Sequence, residues 1–548
     1  MSVTESCESG LTALGKRKRE RCLVCSIGVA VMACAAFAVP LVHCTMRSPN
    51  QLFWTDEVLT ATAVCDASLG ETLASLHDTI NAMPPTYFVG VWLWSQVFGS
   101  SDFALRLFSA VCVGLAWAFC WLILRTYCSR LTAFTASATA LFCSDRILFR
   151  NVEARCYPLY MAAFFAAGFL FVICSTRSRR AGPLVMLGTF VAHATLVTTH
   201  YIGCIYSGFL ICTAIICYAV TRSASLRGYV YSAAGGAAVI LLCIPFYLAQ
   251  KDLGGADNWL PVPGIAALVE CYAMGLRPSL HVIILVCAVF LCGSLAMSRL
   301  FETSQRMSQS ENEKNADALG SAPAPVLFGV FALGMTSLIV PFAIWLESRV
   351  GIRLFLNRYM LPSLIVWPCI LGLAIEQLTR TSRRCRHRIA GVTGRVAGVL
   401  PVACCMLLLC YTLLYVGKDA TRGRDRIESF ERIVMALDNS DSTFASTDIH
   451  KVLPVRHYGG RGRFVRRDVT ESRQPRAAVR IAESLNRRYW SDLVISSKDL
   501  KRGEWKFVVF SDEWEDWQDA GIVGRAWRVV DRMDDLVLVE RHATEPEE

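Results

Sequence analysis

Four short polar groups interrupt an otherwise apolar chain, and their residue types could do chemistry. The first is Trp54-Thr55-Asp56-Glu57, two adjacent carboxylates just beyond an apolar run. A carboxylate there could take a proton from a hydroxyl or hold a divalent cation. The second is Glu153-Ala154-Arg155-Cys156-Tyr157-Pro158, the third His200-Tyr201 and the fourth Asn357-Arg358-Tyr359, each at the edge of an apolar run. Charges at such edges often carry function. Each group also has a plain structural account: a solvated acidic turn, an ion pair, an interfacial histidine, or an arginine whose stem lies along apolar surface while its head reaches water.

The elements that must position these groups follow from composition. Over 548 residues, 54% are hydrophobic and 18% charged, with a mean hydropathy of +0.41. Most apolar residues gather in runs of about 20, the length that crosses a hydrocarbon core as helix. A soluble globule of this size is thereby excluded. The net charge of +10 is spread over short loops between apolar runs, which is a topology signal and not a nucleic-acid face. Most of the 24 cysteines lie inside apolar runs and none follows Cys410. They read as small packing residues, and no CxxC pair stands in a polar loop to suggest metal.

Residues 1–21 are polar and end in Lys16-Arg17-Lys18-Arg19, which predicts an uncleaved first span with a cytoplasmic N-terminal tail. An acidic outer loop over 45–102 follows. Within it, Thr86–Phe98 is apolar and aromatic but only about 13 residues long, which predicts an interfacial or re-entrant helix and not a span. About eleven spans result: 22–42, 103–124, 131–144, 157–175, 183–199, 203–220, 229–249, 281–299, 324–346, 358–378 and 396–417. This count places Arg125 and Arg130, Arg177 to Arg180, Arg222 with Arg227, and Arg380 to Arg388 in the cytoplasm, as the basic-residue bias requires. The segments around Asp56, Asp145–Tyr157, His200, Lys251–Leu280 and Glu347–Arg358 then share the outer face. From 418 to 548 the chain is charged and free of cysteine. Helical patterns at Arg424–Leu437 and Ala477–Asn486, and β-like runs at Trp505–Phe510 and Leu536–Glu540, predict a small α/β domain outside the membrane. The expected fold is mainly α: a polytopic bundle over 22–417 with this C-terminal addition.

In order along the chain stand WTDE, the PP-aromatic segment Met83-Pro84-Pro85-Thr86-Tyr87-Phe88, FG-x-x-DFALR from Phe98 to Arg106, EAR-x-Y from Glu153 to Tyr157, His200-Tyr201, and RYMLP from Arg358 to Pro362. This ordered set resembles the polytopic GT-C glycosyltransferases, most closely the bacterial relatives of the dolichyl-phosphate-mannose-protein mannosyltransferases, glycosyltransferase family 39. The likeness covers about residues 20–380. The family often has His before the prolines; here that place is Met83, so that histidine's role does not carry over.

The resemblance implies transfer of a hexose or related sugar, with inversion, from a polyprenyl-phosphate donor to an acceptor on the outer face of the cell inner membrane. It implies Asp56 as general base with Glu57 in support. Arg155, Arg106 and Arg358 would hold the donor phosphate, since a guanidinium binds phosphate oxygens in bidentate fashion. Glu153, Tyr157, His200 and Tyr201 would line the sugar or phosphate site. No cofactor is implied, although adjacent Asp56 and Glu57 keep a divalent cation open. The partners expected are the lipid-linked sugar, membrane lipid and a protein, lipid or glycan acceptor, with no nucleic acid. Two other readings stand beside this one. A transporter or flippase of lipid-linked sugars would place ionisable or broken segments near mid-membrane, whereas here the charges gather at one interface. A receptor or assembly protein would use the outer domain to bind a partner.

Overall fold

The computed structural model describes residues 34–541 except 178–179, 252–259, 277–279, 281–323, 389–391, 422–423, 467–475 and the single positions 501, 503, 521, 525 and 534. The basic tail Lys16–Arg19, the first part of the span expected at 22–42, and the span expected at 281–299 lie outside the described residues.

Seven described helices are long and apolar enough to cross a membrane: Asp102–Arg125, Tyr157–Thr176, Gly203–Thr221, Ala224–Gln250, Leu327–Val350, Asn357–Arg380 and Pro401–Ala420. Pro183–Thr199 is a shorter apolar helix. The chain is a multi-pass membrane protein, and each of these helices coincides with an expected span. The helices up to the middle of the chain are α1 (34–47), α2 (Thr55–Val64), α3 (Leu69–His77), α4 (Thr86–Phe98), α5 (Asp102–Arg125), α6 (Arg130–Phe142), α7 (Asp145–Asn151), α8 (Tyr157–Thr176), α9 (Pro183–Thr199), α10 (Gly203–Thr221) and α11 (Ala224–Ala238).

Helix α4 has 13 residues and the bounds expected for an interfacial segment, about 20 Å of helix against about 30 Å of hydrocarbon. Helix α6 is equally short, with 13 residues, and lies at the position of the span expected at 131–144. From Thr132 to Phe142 only Phe134 escapes full burial, because α6 packs against the helices Val366–Arg388 and Val392–Ala420. Helix α11 continues to Gln250 through a 3-10 stretch at Val239–Cys243. Pro245 follows, where the missing amide breaks the α-helical ladder. Gly236 lets α11 reach α9, since a Cβ there would stand 2.3 Å from the Phe190 carbonyl oxygen.

The polar segments meet at one end of the bundle. Asp145 N–H bonds the Gly275 carbonyl, Arg146 pairs with Glu270, and Arg353 donates to the Leu260 carbonyl. At the other end, Glu376 accepts from Ser129 N–H and pairs with Arg380, which places the turn after α5 beside the end of the Asn357–Arg380 span.

Beyond Ala420 the chain forms six strands: β1 (Thr443–Ser446), β2 (Gly462–Arg466), β3 (Val494–Ser496), β4 (Trp505–Phe510), β5 (Trp527–Met533) and β6 (Leu536–Arg541). Their order is β3-β2-β1-β4-β6-β5, parallel from β3 to β4 and antiparallel at β6 and β5. Side chains alternate between the faces of a strand. Phe444, Phe464, Val508 and Leu538 face one side, and their buried cluster runs unbroken into the membrane bundle. Ala445, Val465, Phe507 and Val509 face the other side, against Trp514 and Trp517. The helices Arg424–Ser440 and Arg476–Arg488 fall where their patterns predict.

Candidate active site

Asp56 sits in the first turn of α2, behind Trp54, whose backbone N–H bonds the Glu57 carboxylate at 3.4 Å. The Trp54 indole donates to Glu153 at 3.0 Å. Arg155 Nη2 lies 3.3 Å from Asp56 Oδ2, and Arg358 Nη1 lies 3.7 Å from the same oxygen. Arg155 Nη1 donates to the Asp56 carbonyl at 3.1 Å and to Asn81 Oδ1 at 2.9 Å. The Arg358 guanidinium stands over the rings of Trp54, Tyr157 and Tyr359, at 5.8, 5.9 and 5.7 Å. Asp56 is the open carboxylate here: its side chain is 18% exposed, while those of Glu57 and Glu153 are at 0%.

His200 lies against Tyr359, Tyr160 and Tyr157, with ring centroids 4.7, 5.1 and 5.9 Å away. Its Nδ1 accepts the Ile202 N–H at 3.1 Å, which assigns the proton of the neutral ring to Nε2. Burial, and then Arg155 and Arg358, push its pKa down from 6.5 to about 3. The ring is thus a neutral donor at physiological pH. Burial opposes the charge on Arg155, but Asp56 foremost holds this guanidinium protonated. Four buried polar atoms around these residues have no partner: Asn81 Nδ2, Arg155 Nε, Tyr157 Oη and His200 Nε2. Buried donors left unpaired are costly, so this cluster is built to receive oxygen atoms that the protein does not itself supply.

Four candidates have other partners. Arg106, 1% exposed, makes a two-pronged pair with Glu57, Nε to Oε1 and Nη2 to Oε2 both at 3.0 Å. Its Nη1 donates to the Ser48 and Gln51 carbonyls. That removes Arg106 from the expected phosphate set, because its position one turn into α5 points it beneath α2. Burial pushes the Glu57 carboxyl upward against the pull of Arg106. Glu57 Oε1 also accepts from Ala154 N–H at 2.8 Å. Glu57 is therefore taken up by α5 and the Ala154 amide, while Asp56 faces Arg155 and Arg358. Glu153 pairs with Arg150. Tyr201 turns away to Gln250, Oη to Oε1 2.9 Å. Asn81 and Tyr160 were not singled out by sequence, and only the position of Asn81 just before Met83-Pro84-Pro85 hints at its place. Among the described residues, no group of three or more His, Cys, Asp or Glu could hold a metal ion.

The fold has counterparts among solved structures. ArnT from Cupriavidus metallidurans in the apo state is 13% identical, with a TM-score of 0.56, covering 96% of this chain and 100% of that one. The same protein bound to undecaprenyl phosphate is 12% identical, with a TM-score of 0.53, covering 95% and 99%. The chain has the GT-C fold. At this identity the likeness is one of fold, and it extends over the C-terminal sheet as well as the bundle. No family model and no curated protein matches the sequence.

Proposed function

We propose that this GT-C protein is an inverting glycosyltransferase that moves a hexose or related sugar from a polyprenyl-phosphate donor to an acceptor at the outer face of the cell inner membrane. The carrying observation is one partly open carboxylate, Asp56, held between the buried guanidinium of Arg155 and the half-buried one of Arg358 and ringed by unpartnered donors. The undecaprenyl phosphate bound by ArnT supports a lipid-phosphate ligand of the same kind.

The chemistry follows from the charges. In the free site Arg155 and Arg358 are paired with Asp56; a donor phosphate gives them a second anion, and Asp56 becomes available to an acceptor hydroxyl. Asp56 takes the hydroxyl proton as the acceptor oxygen forms its bond to the anomeric carbon. The bond from that carbon to the phosphate oxygen breaks on the opposite face, and its electron pair leaves with the phosphate. That leaving group is already an anion at neutral pH, so it needs positive charge and not a general acid. Arg155 and Arg358 supply it, and His200 Nε2 and Asn81 Nδ2 are placed to donate to donor oxygens. The bundle over 22–417 is the transferase proper, and residues 418–548 form the extracytoplasmic α/β domain.

The test is incubation of purified protein with a panel of radiolabelled polyprenyl-phosphate sugars and membrane extract, followed by identification of the labelled product. Asp56→Asn keeps the shape of the side chain but removes the proton acceptor, and should lower the rate about 10²- to 10⁴-fold with the protein still folded and inserted. Absence of product from every donor, or near-normal turnover by Asp56→Asn, would overturn the reading.

A further inference from the structure

The C-terminal domain meets the catalytic loop through one helix, Ile449–Gly459. Its residues 450, 457 and 458 recur seven and eight apart, the spacing that brings side chains onto one helix face. His450 Nδ1 lies 2.9 Å from Thr55 Oγ1, the hydroxyl immediately before Asp56. Two turns on, Tyr458 Oη accepts the Phe53 N–H at 2.7 Å and donates to Asp102. His457 stacks on the Phe53 ring with centroids 5.5 Å apart, and its Nε2 lies 3.1 Å from Asp102 Oδ1. Phe53 is 1% exposed and also carries Arg106 over its ring at 4.6 Å. Residues 51–54 belong to no helix or strand, so their backbone groups need partners from elsewhere. The circuit closes: Asp102 and Arg106 lie one turn apart on α5, Arg106 holds Glu57, and Tyr458 with His450 holds the residues before Asp56. A neighbouring helix of the same domain adds Arg488 to Asp78 at 3.1 Å, and Tyr489, just beyond it, bonds Asp66 at 2.7 Å.

We infer that the C-terminal domain is a positioning part of the active site, with His450 and Tyr458 fixing Phe53–Thr55 and thereby aiming Asp56 between Arg155 and Arg358. This rests on the proposed transferase reading. His450 and Tyr458 are positioning residues, since neither touches the reacting atoms. Misplacing a catalytic group by about 1 Å costs on the order of 10²-fold in rate, so the grip is felt in turnover and not in donor affinity.

Two readouts on the full-length protein test it: amide hydrogen exchange over residues 50–58, and steady-state transfer. Tyr458→Phe and His450→Ala should speed exchange in that segment about tenfold and lower kcat about 10- to 100-fold, with the donor KM within about twofold of normal. His450→Asn, whose amide oxygen can meet Thr55 Oγ1, should restore much of both. Arg528→Ala, on the edge strand β5, should change neither. Unchanged exchange in both variants overturns the grip, and raised exchange with normal kcat overturns its role in aiming Asp56. If the wild-type protein transfers no sugar, the transferase reading falls, while the exchange data still decide whether the domain holds the loop.

Discussion

Three arginines that look alike in sequence divide into two kinds in space, and substitutions should separate them. Arg155 faces Asp56 and carries an unpartnered Nε. Arg155→Lys keeps the charge but loses the planar fork, so it should raise the donor KM about tenfold or more with acceptor saturating. Arg349→Lys, in which the native residue caps the Pro263 carbonyl, should leave it unchanged. Equal effects at both positions would reduce Arg155 to an anchor. Glu57→Gln should act on stability: it leaves Arg106 charged and buried without its partner, a loss of about 3–5 kcal/mol, read as a lower unfolding midpoint in detergent. His200 predicts a pH effect. Its folded pKa of about 3 lies below the ordinary 6.5, so between those values the unfolded chain binds a proton that the folded chain does not. Stability therefore falls as pH drops from 6.5 towards 3, by up to about 1.4 kcal/mol per pH unit. His200→Gln should flatten that slope, and an unchanged slope would place the titration elsewhere.

Among the elements, α4 decides the topology. If Thr86–Phe98 lies at the interface, α5 begins on the same side as α2, and every later helix end carrying a site residue returns there. Cysteine labelling in a cysteine-depleted background should show positions near Ser100 and within 430–540 reached from the outer face, and positions near Arg125 and Arg380 from the cytoplasm. Labelling of the 430–540 region from the cytoplasm alone would reverse the orientation. The contacts of Tyr458 with Asp102 and of Arg488 with Asp78 tie the two outer positions to one side.

At the scale of the molecule, one buried cluster runs from Trp117 and Tyr157 in the bundle to Phe444, Val452 and Val508 in the C-terminal domain. A shared core predicts shared cooperativity. Thermal unfolding followed by the fluorescence of the tryptophan pair Trp514 and Trp517, and by the reactivity of the buried bundle thiol Cys156, should give coincident midpoints. A domain transition well below the bundle transition would mean that the two pack loosely.

The division between what the sequence determined and what the tertiary structure decided follows the range of the forces involved. Apolar runs, helix ends and strand alternation are local, so the seven described spans, the bounds of α4 and the strands expected at Trp505–Phe510 and Leu536–Glu540, the latter one residue longer in the fold, were legible from residues alone. The ordered polar groups marked Asp56, Arg155, His200 and Arg358, which the fold does bring together. Partner choice was not legible, because it depends on which helix faces which across long stretches of chain. Arg106 went to Glu57 and Tyr201 to Gln250 for that reason, and Asn81 entered the site from an unremarkable loop. His450 and Tyr458 reached the catalytic loop across about 400 residues, a distance that no spacing rule spans and only packing closes.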